Sequence, residues 1–266
     1  MNFEPAIRPA TDASPLCWSF TFVEGQLLLA DGDDGLSPGP LIDADVRHYL
    51  GRLDGLDAWA QRVGEVPAGW RRVPLRAAMM AMPAVQMDVV ARAAQLIEWD
   101  RTHRYCGVCG TPTEPVEHER ARRCPACAHT AYPRVTPAMM VLVWRPGEVL
   151  LARAPHFAKG MYSALAGFVE AGETLEQCVE RETAEEVNVQ IADLRYQGSQ
   201  SWPFPHSLML AFTARWTGGE IVPQVGEIED AQWFPIDALP SIPPRFSISG
   251  YLIRDAVAAL QEGRTP

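Results

Sequence analysis

The sequence predicts an α+β protein of three consecutive segments, and three observations predict it. Residues 1–98 hold the apolar stretches Trp18–Val23 and Gln26–Ala30, broken by Asp31-Gly32-Asp33-Asp34-Gly35 and Pro38-Gly39-Pro40, the pattern of strands joined by turns. Residues 99–133 contain two Cys-x-x-Cys pairs. From residue 134 to 266, strand-like runs at 139–144, 148–153, 208–214 and 231–234 alternate with helical segments near 174–188 and 248–262, an α/β or α+β domain. A chain of 266 residues, 47% of them apolar, can bury more than one core.

The first segment reads as a small β-rich domain that ends in a connector helix. From Pro83 to about Arg101, Val85, Val89, Ala93, Leu96 and Ile97 recur at helical spacing and lead into the first cysteine pair. Cys106, Cys109, Cys124 and Cys127 then supply four sulfurs, the closed tetrahedral shell of one structural zinc ion per chain. Gly107, Gly110 and Pro125 suit the tight turns that aim two sulfurs inward. Two disulfides or a redox-active pair are the alternatives. A reducing compartment and the lack of a thioredoxin-like βαβ context weigh against both. Cys17 and Cys178 have no partner spacing and read as small apolar residues.

Charge narrows the function classes. The formal balance is −10, and Lys159 is the only lysine among 23 basic residues. Such a field repels polyanions, so a phosphate-bearing substrate needs another means of capture. Residues 101–134 depart from this, with Arg101, Arg104, Arg120, Arg122, Arg123 and Arg134 against Glu114, Glu117 and Glu119. If RNA is bound, its backbone is expected beside Arg120, Arg122 and Arg123. The longest apolar run, Met139–Trp144, is far short of the ~20 residues of a membrane span. No basic-then-apolar leader follows Met1, so a soluble, cytoplasmic protein with no membrane partner is expected.

The decisive stretch is 167–189, Gly-Phe-Val-Glu-Ala-Gly-Glu-Thr-Leu-Glu-Gln-Cys-Val-Glu-Arg-Glu-Thr-Ala-Glu-Glu-Val-Asn-Val. Thr174 and Gln177 form a capping-box signature, and Asn188 tolerates the left-handed geometry of a helix end. On that helix Leu175, Cys178 and Val179 share a face that Glu182, Glu185 and Glu186 continue. Three carboxylates at i, i+3 and i+4 repel one another unless a cation sits among them. Magnesium or manganese, which prefer oxygen ligands, suit the position.

The order Gly-x5-Glu-x7-Arg-Glu-x-x-Glu-Glu resembles the signature box of the Nudix hydrolase family, with Thr183 where an aliphatic residue is usual and Asn188 where glycine is usual. The resemblance implies a C-terminal α/β/α sandwich with a mixed sheet and hydrolysis of a diphosphate joined to another moiety. It implies several Mg2+ or Mn2+ ions per site, held by Glu182, Glu186 and the Ala166 carbonyl, with Glu185 as a further ligand or the residue that orients metal-bound water. It also implies that Glu227 completes the metal site, though Glu229 and Asp230 lie close by in sequence. Arg181 is expected to hold the glutamates by ion pairing rather than to touch substrate.

A second segment, Ser199-Gln200-Ser201-Trp202-Pro203-Phe204-Pro205-His206-Ser207, presents two aromatics stiffened by prolines, flat faces for a planar ring. It is similar to the S-Q-P-W-P-F-P-x-S motif of the NADH pyrophosphatase subfamily (NudC-like enzymes), with Ser201 in place of the first proline. The four-cysteine ribbon is also a mark of that subfamily. The resemblance implies cleavage of NADH or NAD to nicotinamide mononucleotide and AMP, removal of NAD caps from RNA 5′ ends, and a homodimer. It carries over substrate contacts from Gln200, Ser201, Trp202, Pro203, Phe204, Pro205, His206 and Ser207, together with Phe168, Glu119, Tyr132 and Ser249. Two other readings are open on sequence alone. One is hydrolysis of ADP-ribose or another nucleoside diphosphate derivative, and the other is a zinc-ribbon nucleic-acid-binding protein with a noncatalytic Nudix domain.

Overall fold

The computed structural model describes residues 1–9 and 15–266. They form two compact units, Met1–Val135 with Ser201–His206, and Thr136–Gln200 with Ser207–Pro266. The first contains strands β1 (Phe3–Pro5), β2 (Trp18–Val23), β3 (Gln26–Ala30), β4 (Val46–Leu53), β5 (Leu56–Arg62) and β6 (Trp70–Val73), then helices α1 (Leu75–Ala81) and α2 (Ala84–Thr102). Short strands β7 (Glu114–Pro115), β8 (Arg122–Arg123) and β9 (Thr130–Ala131) follow in the cysteine-bearing segment. The second contains β10 (Thr136–Arg145), β11 (Glu148–Arg153), β12 (Leu165–Phe168), α3 (Leu175–Val187), most of β13 (Gln190–Trp202), β14 (Ser207–Gly218), β15 (Asp230–Pro235) and α4 (Ile248–Gln261).

In the first unit the sheet order is β1-β4-β5-β2-β3-β6. Phe20, Phe22, Leu27 and Leu28 are buried in it, as the apolar runs at β2 and β3 require. The connector helix buries Val89, Ala93, Leu96 and Ile97, four of the five positions picked out by periodicity, against β5, β4 and β2. Two arginines expected to face RNA are instead structural. Arg120 donates to the Ala6 carbonyl (2.6 Å) and the Tyr49 carbonyl (2.9 Å), and Arg122 to Asp100 (2.8 Å) and to Thr113. Both guanidinium groups are drawn inward by acceptors far away in sequence, which local charge counting cannot see.

The second sheet runs β13-β14-β10-β11-β15, with β12 pairing β10 antiparallel off this path. β10 is parallel to β14 and antiparallel to β11, so the sheet is mixed. Because strand side chains alternate between faces, Met139, Val141 and Val143 pack with Cys178, Val179 and Val187 of α3. Met140, Leu142 and Trp144 meet Leu252, Ile253 and Ala256 of α4 on the other face. The result is the helix-sheet-helix sandwich expected. No helix among the described residues is long and apolar enough to cross a membrane.

The two sheets share a path. β4-β5-β2-β3-β6 repeats β13-β14-β10-β11-β15, each with a parallel pair at its centre (β2 with β5, β10 with β14) and two antiparallel pairings beyond it. The first unit has no helix between β3 and β4, so the carboxylate helix α3 has no counterpart there.

Candidate active site

α3 begins and ends as its terminal residues dictate. Thr174 Oγ1 accepts the Gln177 N–H and the Gln177 side chain accepts the Thr174 N–H, while Asn188 closes the helix at φ 58°, ψ 30°. Thr183, unusual for the motif, is fully buried, and its hydroxyl is satisfied by the Val179 carbonyl one turn back (2.6 Å).

Within this frame the three helix glutamates have different surroundings. Glu185 is exposed, Glu182 is half-buried and Glu186 is 7% exposed. Arg181 ties two of them together, 3.0 Å from Glu182 and 3.0 Å from Glu185, while it grips Glu173 bidentately at 2.7 and 2.9 Å. That pairing holds the Glu173 carboxyl down at about 2. Arg181 also donates to the Phe168 carbonyl (3.0 Å), which fastens the end of β12 to α3. The arginine thus binds glutamates, as its place in the motif suggests.

Glu186 is the exceptional group. Burial, and then the charges of Glu182 and Glu227, push its carboxyl up to about 8. Its Oε2 is buried without a hydrogen-bond partner among the described residues. A buried carboxylate oxygen left unsatisfied beside two further carboxylates is costly for the protein alone, and a divalent cation with oxygen preference would satisfy it. Ala166, Glu186 and Glu227 line one cavity of about 590 Å³ whose walls include Met140, Phe157, Leu165 and Ile228.

Glu227 reaches that cavity through backbone bonds. The Gln224 N–H donates to the Glu186 carbonyl (2.9 Å) and the Val222 N–H to the Val187 carbonyl (3.1 Å), which docks the 222–228 loop on the last turn of α3. Its two acidic neighbours are engaged elsewhere. Glu229 pairs with Arg153, and Asp230 accepts hydrogen bonds from Tyr162 and Gln232. Glu227 is the one of the three that lines the cavity.

The four cysteines meet in the first unit with all four ligand sulfurs within 4.8 Å of one another. Sulfur separations of 3.6 Å (Cys106–Cys127), 3.5 Å (Cys109–Cys124) and 3.6 Å (Cys109–Cys127) are too long for a disulfide. They approach the edge of about 3.8 Å that a tetrahedral zinc with ~2.3 Å Zn–S bonds would set, so the set fits that ion. Each pair sits on a matching turn. Gly110 N–H donates to Cys106 O at 2.9 Å and Ala128 N–H to Cys124 O at 3.0 Å, with Gly110 and Ala128 both at positive φ.

Three family models match successive stretches of the chain. Residues 134–255 match the model of the NUDIX domain, 101–132 that of the NADH pyrophosphatase zinc ribbon domain, and 18–99 that of the NADH pyrophosphatase-like rudimentary NUDIX domain. The chain belongs to the Nudix hydrolase family. The NAD-capped RNA hydrolase NudC of Chromobacterium violaceum is 50% identical over 98% of this chain and 99% of its own length. The protein of the same name from Deinococcus radiodurans is 45% identical over 98% and 97%. Among solved structures, a NUDIX hydrolase from Nitrosomonas europaea shares the fold with a TM-score of 0.53 at 22% identity, covering 61% of this chain and 94% of that one. The rudimentary NUDIX match explains the repeated sheet path of the first unit.

Other residues singled out in this Nudix hydrolase lie as follows. The segment from Gln200 to Ser207 is not one loop. β13 runs through Trp202, β14 starts at the buried Ser207, and 203–206 form the tip between them, with a cis Phe204-Pro205 bond. Ser201 to His206 group with the first unit. There the Ser201 hydroxyl donates to Gln95 (3.2 Å), so the serine that replaces proline makes a tether of its own. Trp202 and Phe204 pack with ring centroids 5.0 Å apart, and the Arg76 guanidinium lies over both at 5.2 and 4.8 Å. Pro203, Phe204 and Pro205 line a cavity of about 750 Å³ with Arg62, Arg76 and Arg101, and His206 lines a smaller one with His103 and Arg134. Tyr132 donates to Glu119 at 3.2 Å on the ribbon. Phe168 is exposed at the end of β12, and Ser249 is buried in α4 with its hydroxyl 2.7 Å from that of Ser163. Sequence reasoning overlooked Arg76 and Ser163, which lie in no motif and gain their places from tertiary contacts.

Proposed function

We propose that this Nudix hydrolase cleaves the central diphosphate of NADH and NAD to nicotinamide mononucleotide and AMP, and removes NAD caps from RNA 5′ ends. The observation that carries the reading is the buried Glu186 carboxylate, whose Oε2 has no hydrogen-bond partner among the described residues, set with Glu227 in one cavity and flanked by Glu182. The names of the two full-length bacterial relatives supply the substrate class. Glu182, Glu185, Glu186, Glu227 and the Ala166 carbonyl would hold Mg2+ or Mn2+. Such ions neutralise diphosphate oxygens and make water nucleophilic when bound.

The chain's own residues do the rest. Arg181 fixes the direction of Glu182 and Glu185, and the loop bonded to the Glu186 and Val187 carbonyls carries Glu227 to the cavity. The apolar part of the cavity wall, Met140, Leu165 and Ile228 among it, would suit the flat face of a base. The hairpin aromatics Trp202 and Phe204, with Phe168, Tyr132 and Glu119, are assigned to substrate on the subfamily resemblance, as are a homodimeric assembly and a cytoplasmic location. A structural zinc on Cys106, Cys109, Cys124 and Cys127 holds the ribbon. The test supplies NADH, NAD, ADP-ribose and NAD-capped RNA in parallel, with Mg2+ or Mn2+ and with excess chelator. Turnover of the first two and of capped RNA, lost with chelator, is expected. Preferential turnover of ADP-ribose, or activity that survives chelation, would overturn the reading.

A further inference from the structure

Residues 101–134 hold six arginines, and the structure shows which of their charges are cancelled. Arg122 is held by Asp100 at 2.8 Å, and Arg101 grips Glu98 at 2.9 and 2.7 Å. Arg120 is different. Its Nη2 is anchored to the carbonyls of Ala6 and Tyr49, which are dipoles and not charges, so the anchoring leaves its unit charge in place. Burial, and then the charge of Arg92, act against the Arg120 cation and lower its pKa from the ordinary arginine value.

Arg92, Arg120 and Arg134 line one hollow of the first unit, of about 340 Å³. None of the three is ion-paired with a carboxylate among the described residues, Asp88 in the same wall included. Like charges gathered without a counter-charge repel one another, and an anion among them removes that cost. A second hollow, of about 210 Å³, adjoins the first, since it shares Gln95 and Arg134, and it adds His103 and His206. Its one carboxylate, Glu98, is the one already held by Arg101. Helix α2 gives the two hollows a common axis. Asp88, Arg92, Gln95, Trp99 and His103 recur at steps of three or four along α2 and its C-cap, a stripe of about 22 Å at 1.5 Å per residue. In a chain of net charge −10, an extended strip of uncancelled positive charge is the place for a linear polyanion.

We propose that the two joined hollows are a track for the phosphodiester backbone of the RNA that follows the cap, with Arg92 and Arg134 as phosphate contacts and Arg120 supplying charge from within the wall. The inference rests on the reading of capped RNA as a substrate. A guanidinium offers a phosphate two parallel N–H donors, and contacts of this kind position a chain without reading its bases. Free NADH has no such chain, so the track serves RNA and not the free dinucleotide. It places the RNA along α2 and not on the strand that bears Arg122, whose charge Asp100 cancels.

The experiment uses the full chain as wild type, Arg92→Gln, Arg134→Gln and their combination, with uncapped single-stranded RNA of about 12 nucleotides as the probe and no divalent ions. Fluorescence anisotropy gives the affinity between about 25 and 200 mM salt. Each single variant is expected to weaken binding about three- to tenfold, alike for A-rich and U-rich RNA, and to reduce the slope of log K against log salt by about 0.7, the double variant by about 1.4. Turnover of NAD-capped RNA should fall with the affinity, while kcat/KM for NADH stays within about twofold of wild type. Arg195→Gln removes the same charge from an exposed position on β13 and should change neither affinity nor slope. Unchanged slopes in Arg92→Gln and Arg134→Gln, an equal effect of Arg195→Gln, or no RNA binding by wild type would overturn the track. Displacement of the RNA by a glutamate peptide of matched charge would overturn it too, and would make the strip a site for acidic protein. Should Arg134→Gln fold poorly, Arg134→Lys keeps the charge and is expected to keep the slope, and a slope lost with lysine would overturn the assignment equally. A wild type that binds RNA, with the slope reduced in the variants, yet turns over neither NADH nor capped RNA would count against the proposed function alone.

Discussion

Glu182 lies over Gly167 so closely that a Cβ on residue 167 would fall 1.9 Å from the Glu182 Cδ and 2.1 Å from its Oε1. The glycine of β12 is therefore the space into which a carboxylate of α3 fits. The obstructed atoms are the end of a flexible side chain, so Gly167→Ala should let the protein fold and turn Glu182 aside. A loss of about 100-fold in NADH turnover is expected, with a melting temperature within about 3 °C of wild type. Paired kinetics and thermal denaturation decide it, and a variant that keeps a third of wild-type activity would refute the role given to Glu182.

Arg181 holds Glu173 through Nε and Nη2 and both Glu182 and Glu185 through Nη1, and a lysine at that position offers one compact charge in place of a planar fork. Arg181→Lys should therefore recover little. Both Arg181→Lys and Arg181→Ala are expected to lower kcat/KM and divalent-ion affinity by about 10- to 100-fold. Titration of activity against Mg2+ separates the two effects. If lysine restored near-wild-type ion affinity, charge alone would be sufficient and the fork geometry irrelevant.

Glu186 is buried with its Oε2 unsatisfied among the described residues, so removal of its charge should cost function and spare the fold. Glu186→Gln is expected to abolish turnover while the metal-free variant melts no lower than metal-free wild type at pH 8. Wild type, and not the variant, should gain stability on addition of Mg2+. Residual turnover above a thousandth of wild type would show that another group performs its role.

These outcomes rest on features of unequal legibility in the sequence. The ends of α3 were readable because Thr174, Gln177 and Asn188 act within one turn of themselves. The choice among Glu227, Glu229 and Asp230 was not, since it is made by Arg153 on β11 and by Tyr162 in the segment before β12. The β4–β5 hairpin carries the Asp54-Gly55 turn at positive φ, a local signal that a reading focused on apolar runs passed over. Arg120 and Arg122 looked like surface charge because their acceptors, Tyr49, Ala6 and Asp100, are set by the fold. Gln200 had the same difficulty. A motif marks it, yet its partners lie 46 and 48 residues further on.

The cysteine cluster makes a prediction about stability. Cys106→Ser leaves three thiolates, and removal of zinc by chelation leaves four, without their ion, and either should destabilise the first unit. Cys178→Ser serves as the control for metal binding, because Cys178 is buried alone in the second core and burial pushes its thiol up to about 11. One zinc per chain is expected in wild type and in Cys178→Ser, and markedly less in Cys106→Ser, by elemental analysis. Full zinc content in Cys106→Ser would remove that residue from the ligand set.

Asp100, near the end of α2, is buried and joins α2 to the ribbon through Arg122 (2.8 Å) while Arg104 and His48 approach it at 3.7 Å. Burial alone would raise its carboxyl, but His48 and Arg122 outweigh it and leave the group below the ordinary carboxylate range. Asp100→Asn would leave the largely buried Arg122 guanidinium without its counter-charge, at a cost of about 3 kcal/mol. Since the native group holds its proton less tightly than the unfolded one, its stabilisation is present in full above about pH 5 and is lost as pH falls through the native value. The difference in unfolding free energy between wild type and Asp100→Asn, from urea denaturation, is therefore expected to be present at neutral pH and to shrink below about pH 4. Acid also releases zinc from both proteins, so the difference between them, not either absolute stability, is the readout. A difference that persisted unchanged at pH 3 would show that Asp100 acts by packing and not by charge.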